Sequence, residues 1–102
     1  MDVVRNEAEN RFEIDLGDAT AISEYTVSGD RIRFTHTLVP PQHEGQGIGS
    51  KLIRASLDYA REAGLKVIPV CPFYVSYFER HPEAQDLLDP GYAKRHPDKF
   101  GE

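Results

Sequence analysis

The sequence predicts an α/β fold on a mixed sheet: an antiparallel N-terminal meander, then a strand–helix–strand crossover, then a short C-terminal helix. Two observations carry that expectation. From residue 11 to residue 38, apolar and polar side chains alternate with the period of a strand, interrupted by turn formers. From residue 47 to residue 71, an amphipathic helical stretch runs directly into an apolar run, which suits a parallel crossover. A chain of 102 residues is long enough for one core and too short for a second, so a single domain over residues 1–102 follows.

Taken in order, Phe12, Ile14 and Leu16 alternate with Arg11, Glu13 and Asp15, and Gly17-Asp18 supplies a turn. Thr20 to Val27 is rich in strand formers, and Ser28-Gly29-Asp30 marks a hairpin. Ile32, Phe34, His36 and Leu38 then alternate with Arg31, Arg33, Thr35 and Thr37, which places His36 on the buried face. Pro40-Pro41 ends that strand because proline cannot donate to the ladder.

A helix is expected from Gly47 to Ala63. Ile48, Leu52, Ile53, Leu57 and Ala60 fall on one arc, Lys51, Arg54, Asp58 and Arg61 on the other, and Gly64 closes it. Leu65 to Cys71 reads as a strand covered on both faces, with Pro69 forcing an edge, a bulge or a splay. Phe73 to Arg80 reads as a second helix closed by Pro82. The core thus extends over residues 11–88, and residues 90–102 read as a loosely packed tail.

Composition narrows the function classes. The net charge of −5 argues against broad nucleic-acid binding, which needs a basic face, while leaving room for a local phosphate site. No apolar run approaches the ~20 residues of a membrane span, and the first residues lack a signal core, so a cytoplasmic location is expected. The lone Cys71 excludes an internal disulfide and suits a reducing compartment. His43, His81 and His96 lack metal-ligand spacing, and no metal is expected.

Gly45, Gly47 and Gly49 alternate between a strand and a helix. Glycine there permits positive φ and lets backbone amides approach a ligand with no Cβ in the way. A helix start adds four unpaired amides and the positive end of its dipole, which together suit a phosphate or pyrophosphate. Lys51 and Arg54 sit near that end on the polar arc and can meet further phosphates. A Walker A loop fails, because Ser50 and Leu52 stand where it needs Gly and Ser or Thr; a dinucleotide fingerprint from Gly45 fails at Ser50.

The segment Leu38-Val39-Pro40-Pro41-Gln42-His43-Glu44-Gly45-Gln46-Gly47-Ile48-Gly49-Ser50-Lys51-Leu52 resembles the central motif of the GCN5-related N-acetyltransferase (GNAT) superfamily, Gln/Arg-x-x-Gly-x-Gly/Ala, matched at Gly47 and Gly49. His36-Thr37-Leu38-Val39-Pro40 together with Cys71-Pro72-Phe73 resembles its minimal, single-cysteine branch of predicted acetyltransferases. The resemblance covers residues 11–88 and implies a minimal GNAT-like fold with acetyl-coenzyme A as acetyl donor. It implies that Gly45, Gln46, Gly47, Ile48, Gly49 and Ser50, with Lys51 and Arg54, hold the pyrophosphate, and that Leu38 and Val39 hold the pantetheine arm through their main chain. Glu44 departs from the motif's first position, where a carboxylate is repulsive to phosphate, and is not counted as a contact.

Cys71 admits two readings: a small buried apolar residue, or a nucleophile at the end of the parallel strand that takes the acetyl group. The second needs a thiolate, hence a neighbouring base or cation. His36 likewise reads as a core histidine or as that base. The resemblance places Phe78 where many members carry a proton-donating tyrosine, with Tyr74 and Tyr77 out of register. The leading expectation is an N-acetyltransferase acting on an amine, by direct attack or through an acetyl-Cys71 intermediate with His36 as base. A non-catalytic coenzyme A-binding or regulatory module is the alternative, and an unrelated phosphate-ligand binder a weaker third. Small amines, protein lysines and N-termini all stand as acceptors, and the oligomeric state is left open.

Overall fold

Five strands and four helices build the domain in a computed structural model that describes residues 2–100. The strands are β1 (Val4–Asn6), β2 (Arg11–Asp15), β3 (Thr20–Ser28), β4 (Arg31–Leu38) and β5 (Lys66–Pro69). They lie side by side in chain order, antiparallel throughout except for the parallel pair β4–β5. The helices are α1 (Ile48–Ala63), α2 (Pro72–Arg80), α3 (Pro90–Arg95) and α4 (Pro97–Phe100), and a 3-10 turn (Pro41–His43) precedes α1. This is the mixed-sheet α/β fold that the sequence predicts, with β1 as an addition.

Period-two patterning puts Phe12, Ile14, Ala21, Tyr25, Ile32 and Phe34 on one buried face of the sheet. The apolar arc of α1, with Leu52, Ile53, Leu57 and Ala60, packs against that face. Each Phe, Ile and Leu among these contributes ~1.5–3 kcal/mol when fully buried. From α2, Tyr74 stacks on Phe34 with ring centroids 4.3 Å apart. Its hydroxyl lies 2.6 Å from Ser23 Oγ and 2.8 Å from Ser56 Oγ, which ties sheet, α1 and α2 together at one buried point.

The structure departs from the sequence reading at three places. First, β5 is fully covered on one face only: Val67 and Pro69 are buried, but Ile68 only half so and Lys66 is exposed; its place at the edge of the sheet is one of the outcomes that Pro69 predicts. Second, residues 90–100 are folded, against the expectation of a loose tail; residues 101–102 lie outside the described residues. Asp89 caps α3 by accepting from the Tyr92 amide, Tyr92 is buried, and Phe100 packs on the core. Pro90 and Pro97 open helices there, since a first-turn proline loses no hydrogen bond. Third, β4 changes phase partway along. Tyr25 pairs with Phe34 and Glu24 with His36, leaving Thr35 as an extra residue. Beyond that bulge Thr37 faces the core, while His36 and Leu38 are exposed.

Candidate functional site

The site begins where two strands part. β4 and β5 pair from Arg31–Lys66 to Phe34–Pro69 and no further. The amides of Val70 and Cys71 both donate to the carbonyl of Phe34, at 3.1 and 2.9 Å, and the chain then turns away into α2. β4 continues to Leu38 paired only with β3, and its β5-side edge is unpaired. Pro69, which has no N–H, sits at the parting, as the sequence anticipates.

Below the parting lies the glycine turn. Gly45 and Gly47 have φ of 85° and 78°, and Gly47 is the N-cap of α1 with no side-chain cap bond and no acidic residue in the first turn. The amides of Ile48, Gly49 and Ser50 thus open α1 without an internal partner, at the positive end of a four-turn helix. A cleft of about 530 Å³ spans the two features. Thr37, Leu38 and Val39 form one wall; Gly45, Gly47, Ile48, Gly49 and Ser50 form the floor; Phe73, Ser76 and Arg80 of α2 form the other wall.

Of the residues singled out for a cofactor, the structure brings Leu38, Val39, Gly45, Gly47, Ile48, Gly49 and Ser50 into this cleft. Gln46 stands behind the floor, with its amide oxygen 3.1 Å from His43 Nδ1. Lys51 is half-buried on the first turn and does not line the cleft. Arg54 borders a smaller depression beside Asp58 and Arg61. Glu44 does line the cleft, so a carboxylate shares the floor with the open amides.

Cys71 and His36 are not brought together. Cys71 is the N-cap of α2, 5% exposed, and its thiol donates to Thr37 Oγ1 at 3.5 Å. Thr37 lines the cleft and Cys71 does not. His36 was expected on the buried face, and the bulge at Thr35 turns it to the other side, opposite Thr37, where it is exposed. Strict alternation misplaces it because one extra residue inverts every side chain that follows. Tyr74 is no proton donor to the cleft either: burial holds its hydroxyl far above the ordinary tyrosine value, and both its hydrogen-bond partners lie in the core.

Sequence reasoning passed over Phe73, Ser76, Arg80 and His43. The first three recur at helical spacing on one side of α2, and that stripe was the available signal. Arg80 Nη1 donates to Ser76 Oγ at 2.7 Å, and Arg80 forms no ion pair among the described residues. Phe73 stands half-exposed at the mouth. His43 lines the cleft from the 3-10 turn and pairs with Asp18 at 2.8 Å.

Comparison with known proteins agrees with this geometry. Residues 11–87 match the family described as GCN5-related N-acetyl-transferase. The protein NATD1 of Gallus gallus and of Mus musculus is 35% identical over 68 residues, which is 66% of this chain and 62% of the relative. NATD1 of Homo sapiens shows the same identity over 60% of its length, so the chain spans about three fifths of these relatives. A GCN5-like candidate N-acetyltransferase from Staphylococcus aureus, solved by NMR, superposes with a TM-score of 0.68 at 34% identity, covering 86% of this chain and 87% of the other.

Proposed function

The chain belongs to the GCN5-related N-acetyltransferase family, and from that premise we propose that it takes acetyl-coenzyme A into the cleft and moves the acetyl group to an amine. The observation that carries this reading is the parting of β4 from β5 directly above the uncapped start of α1. A free strand edge at Leu38 and Val39 suits the amides of a pantetheine arm, and open helix amides suit a pyrophosphate. Arg80 lines the cleft from α2 and brings a cation to the same cavity as Glu44; Lys51 and Arg54 follow on α1 outside the cleft lining.

In the transfer, the amine nitrogen attacks the thioester carbonyl carbon. A C–N bond forms, the C–S bond breaks, the amine gives up a proton and the departing thiolate gains one. Direct attack fits the site better than a relay through the protein, because His36 faces away from Cys71. The acetyl-Cys71 route is kept as a second reading on one observation: the thiol is bonded to Thr37, itself a cleft residue, and so stands one side chain from the cavity. A coenzyme A-binding module without turnover would use the same cleft.

A thermal melt with acetyl-coenzyme A, with ATP and NAD as controls, tests the binding. Ligand at ~100 times its dissociation constant adds ~2.7 kcal/mol, and each kcal/mol moves the midpoint of a domain this size by ~4–8 °C. A shift specific to acetyl-coenzyme A is expected; no shift, or an equal one with ATP, sinks the reading. Turnover on small amines, lysine peptides and free N-termini then separates enzyme from module. Cys71→Ala is expected to keep both binding and turnover, and loss of turnover alone would restore the intermediate.

A further inference from the structure

One polar assembly beside the cleft is not used by the transfer chemistry. His43 is one-fifth exposed, with Nε2 2.8 Å from Asp18 Oδ1 and Nδ1 3.1 Å from Gln46 Oε1. Asp18 belongs to the β2–β3 turn, and its other oxygen accepts from Gln42 Nε2 at 3.3 Å. Gln46 lies between the positive-φ residues Gly45 and Gly47. A single imidazole therefore ties a distant turn to the glycine loop. Both of its nitrogens face oxygen acceptors. A neutral imidazole carries one N–H and an imidazolium two, so only the cation can donate to both oxygens at once. The bond to Asp18, and after it the bond to Gln46, raises the His43 pKa above its ordinary value, and the same contact lowers that of Asp18. Glu44, next along the loop, and Arg80, on the far wall, are the other charged groups that share the cleft with it.

We propose that His43 is a positioning residue: protonated, it clamps Gln46 and the glycine loop to the β2–β3 turn, and its deprotonation releases one arm and loosens the cleft's hold on a phosphate-bearing ligand. With both nitrogens engaged it has no donor left for a phosphate, so it acts through the loop. A raised folded-state value fixes the sign. The clamp is complete below the ordinary imidazole value near ~6.5 and is lost as pH rises through the higher folded value. The identity of the ligand rests on the acetyl-coenzyme A reading; the clamp does not.

The experiment is an NMR titration of the ligand-free protein from about pH 5 to about pH 9, following the His43 ring and the amides of Gly45 and Gly47. The ring is expected to titrate above ~6.5 and the two amides to move with the same midpoint. Asp18→Asn should bring that midpoint down, and His43→Gln should remove the step. Across the midpoint, the dissociation constant of acetyl-coenzyme A should rise about three- to tenfold in the wild type, as one charge-assisted bond is lost. In His43→Gln only the shallower slope from the ligand's own phosphates should remain. A ring midpoint at or below the ordinary value, or glycine amides that ignore the ring, overturns the clamp. Equal pH dependence of binding in wild type and His43→Gln overturns its role in holding the ligand. Glycine amides that follow the ring while acetyl-coenzyme A fails to bind at any pH would remove that ligand and leave the clamp standing.

Discussion

Alanine at Gly47 and alanine at Gly49 should act in opposite directions, although the two residues lie two positions apart on the cleft floor. Neither added methyl meets an obstacle: around Gly47 nothing lies within 4 Å, and at Gly49 the nearest atom is Val39 Cγ2 at an ordinary 3.7 Å. The backbone makes the difference. Gly47 holds φ 78° and ψ 12° as the left-handed N-cap, whereas Gly49 is helical. A left-handed alanine costs ~1–2 kcal/mol, and the stiffer unfolded chain offsets ~0.4–1 of it. A net loss near 1 kcal/mol lowers the melting midpoint by ~4–8 °C. At Gly49 the same change removes a helical glycine and stabilises by ~0.5–1 kcal/mol, so the midpoint rises by ~2–8 °C. Differential scanning calorimetry reads both, and isothermal titration with acetyl-coenzyme A reads the function. Gly47→Ala is expected to weaken binding at least ~10-fold, because relaxing the left-handed turn re-aims the first amides. Gly49→Ala keeps them in place and should stay within ~3-fold. A Gly47→Ala protein that melts at or above the wild-type temperature refutes the argument from φ. Equal loss of binding in both variants would mean that the methyl, not the backbone, decides.

Two further outcomes follow from the core and from the C-terminal segment. Tyr74→Phe strands the buried Ser23 hydroxyl, which has Tyr74 as its side-chain partner, and should cost ~1–3 kcal/mol by urea denaturation; adding Ser23→Ala should recover most of that loss, and a Tyr74→Phe protein as stable as wild type would refute the account. Asp89 accepts from Arg31 Nε at 2.7 Å and from the Tyr92 amide at 3.0 Å, and the Arg31 bond leads in holding its carboxyl below the ordinary range. Its contribution is present above the unfolded value near ~3.9 and disappears as pH falls through the lower folded value. Melts from about pH 5 to about pH 2 should therefore fall less steeply for Asp89→Asn than for wild type, and parallel curves would show that Asp89 carries no such linkage.

Much of the architecture was legible because the relevant signals are local. Period-two alternation marks β2 and β4, a run of strand formers marks β3, a clean apolar arc marks α1, and Gly47 and Gly64 stand at its two ends as caps. β1 escaped notice because three residues carry too little pattern to separate from a loop. The C-terminal helices are harder to read because the segment is short, weakly periodic and interrupted by Gly91 and Pro97, although Asp89 before Pro90 is a helix-start signal and its cap bond forms. Phe73, Ser76 and Arg80 were placed on the right helix but not at the cleft. Their meeting with the glycine loop depends on how far β5 runs before α2 begins, which is a tertiary fact.

The bulge at Thr35 shows how one residue of register reaches the chemistry. Without it, Phe34, His36 and Leu38 would share the core face, and an imidazole would enter an apolar interior near the expected thioester site. With it, Thr37 takes the inward place, close enough to Cys71 for the thiol to donate to its hydroxyl. Two consequences follow together. The inward polar group beside Cys71 is a hydroxyl, which orients a thiol and is no base at neutral pH. The outward group is a histidine beside Glu24 in the sheet, on the face that the helices leave open. A covalent relay through Cys71 would therefore need its base from the ligand side of the cleft to ionise a buried thiol, whereas direct attack needs an acceptor for the amine's own proton and no ionisation of the thiol.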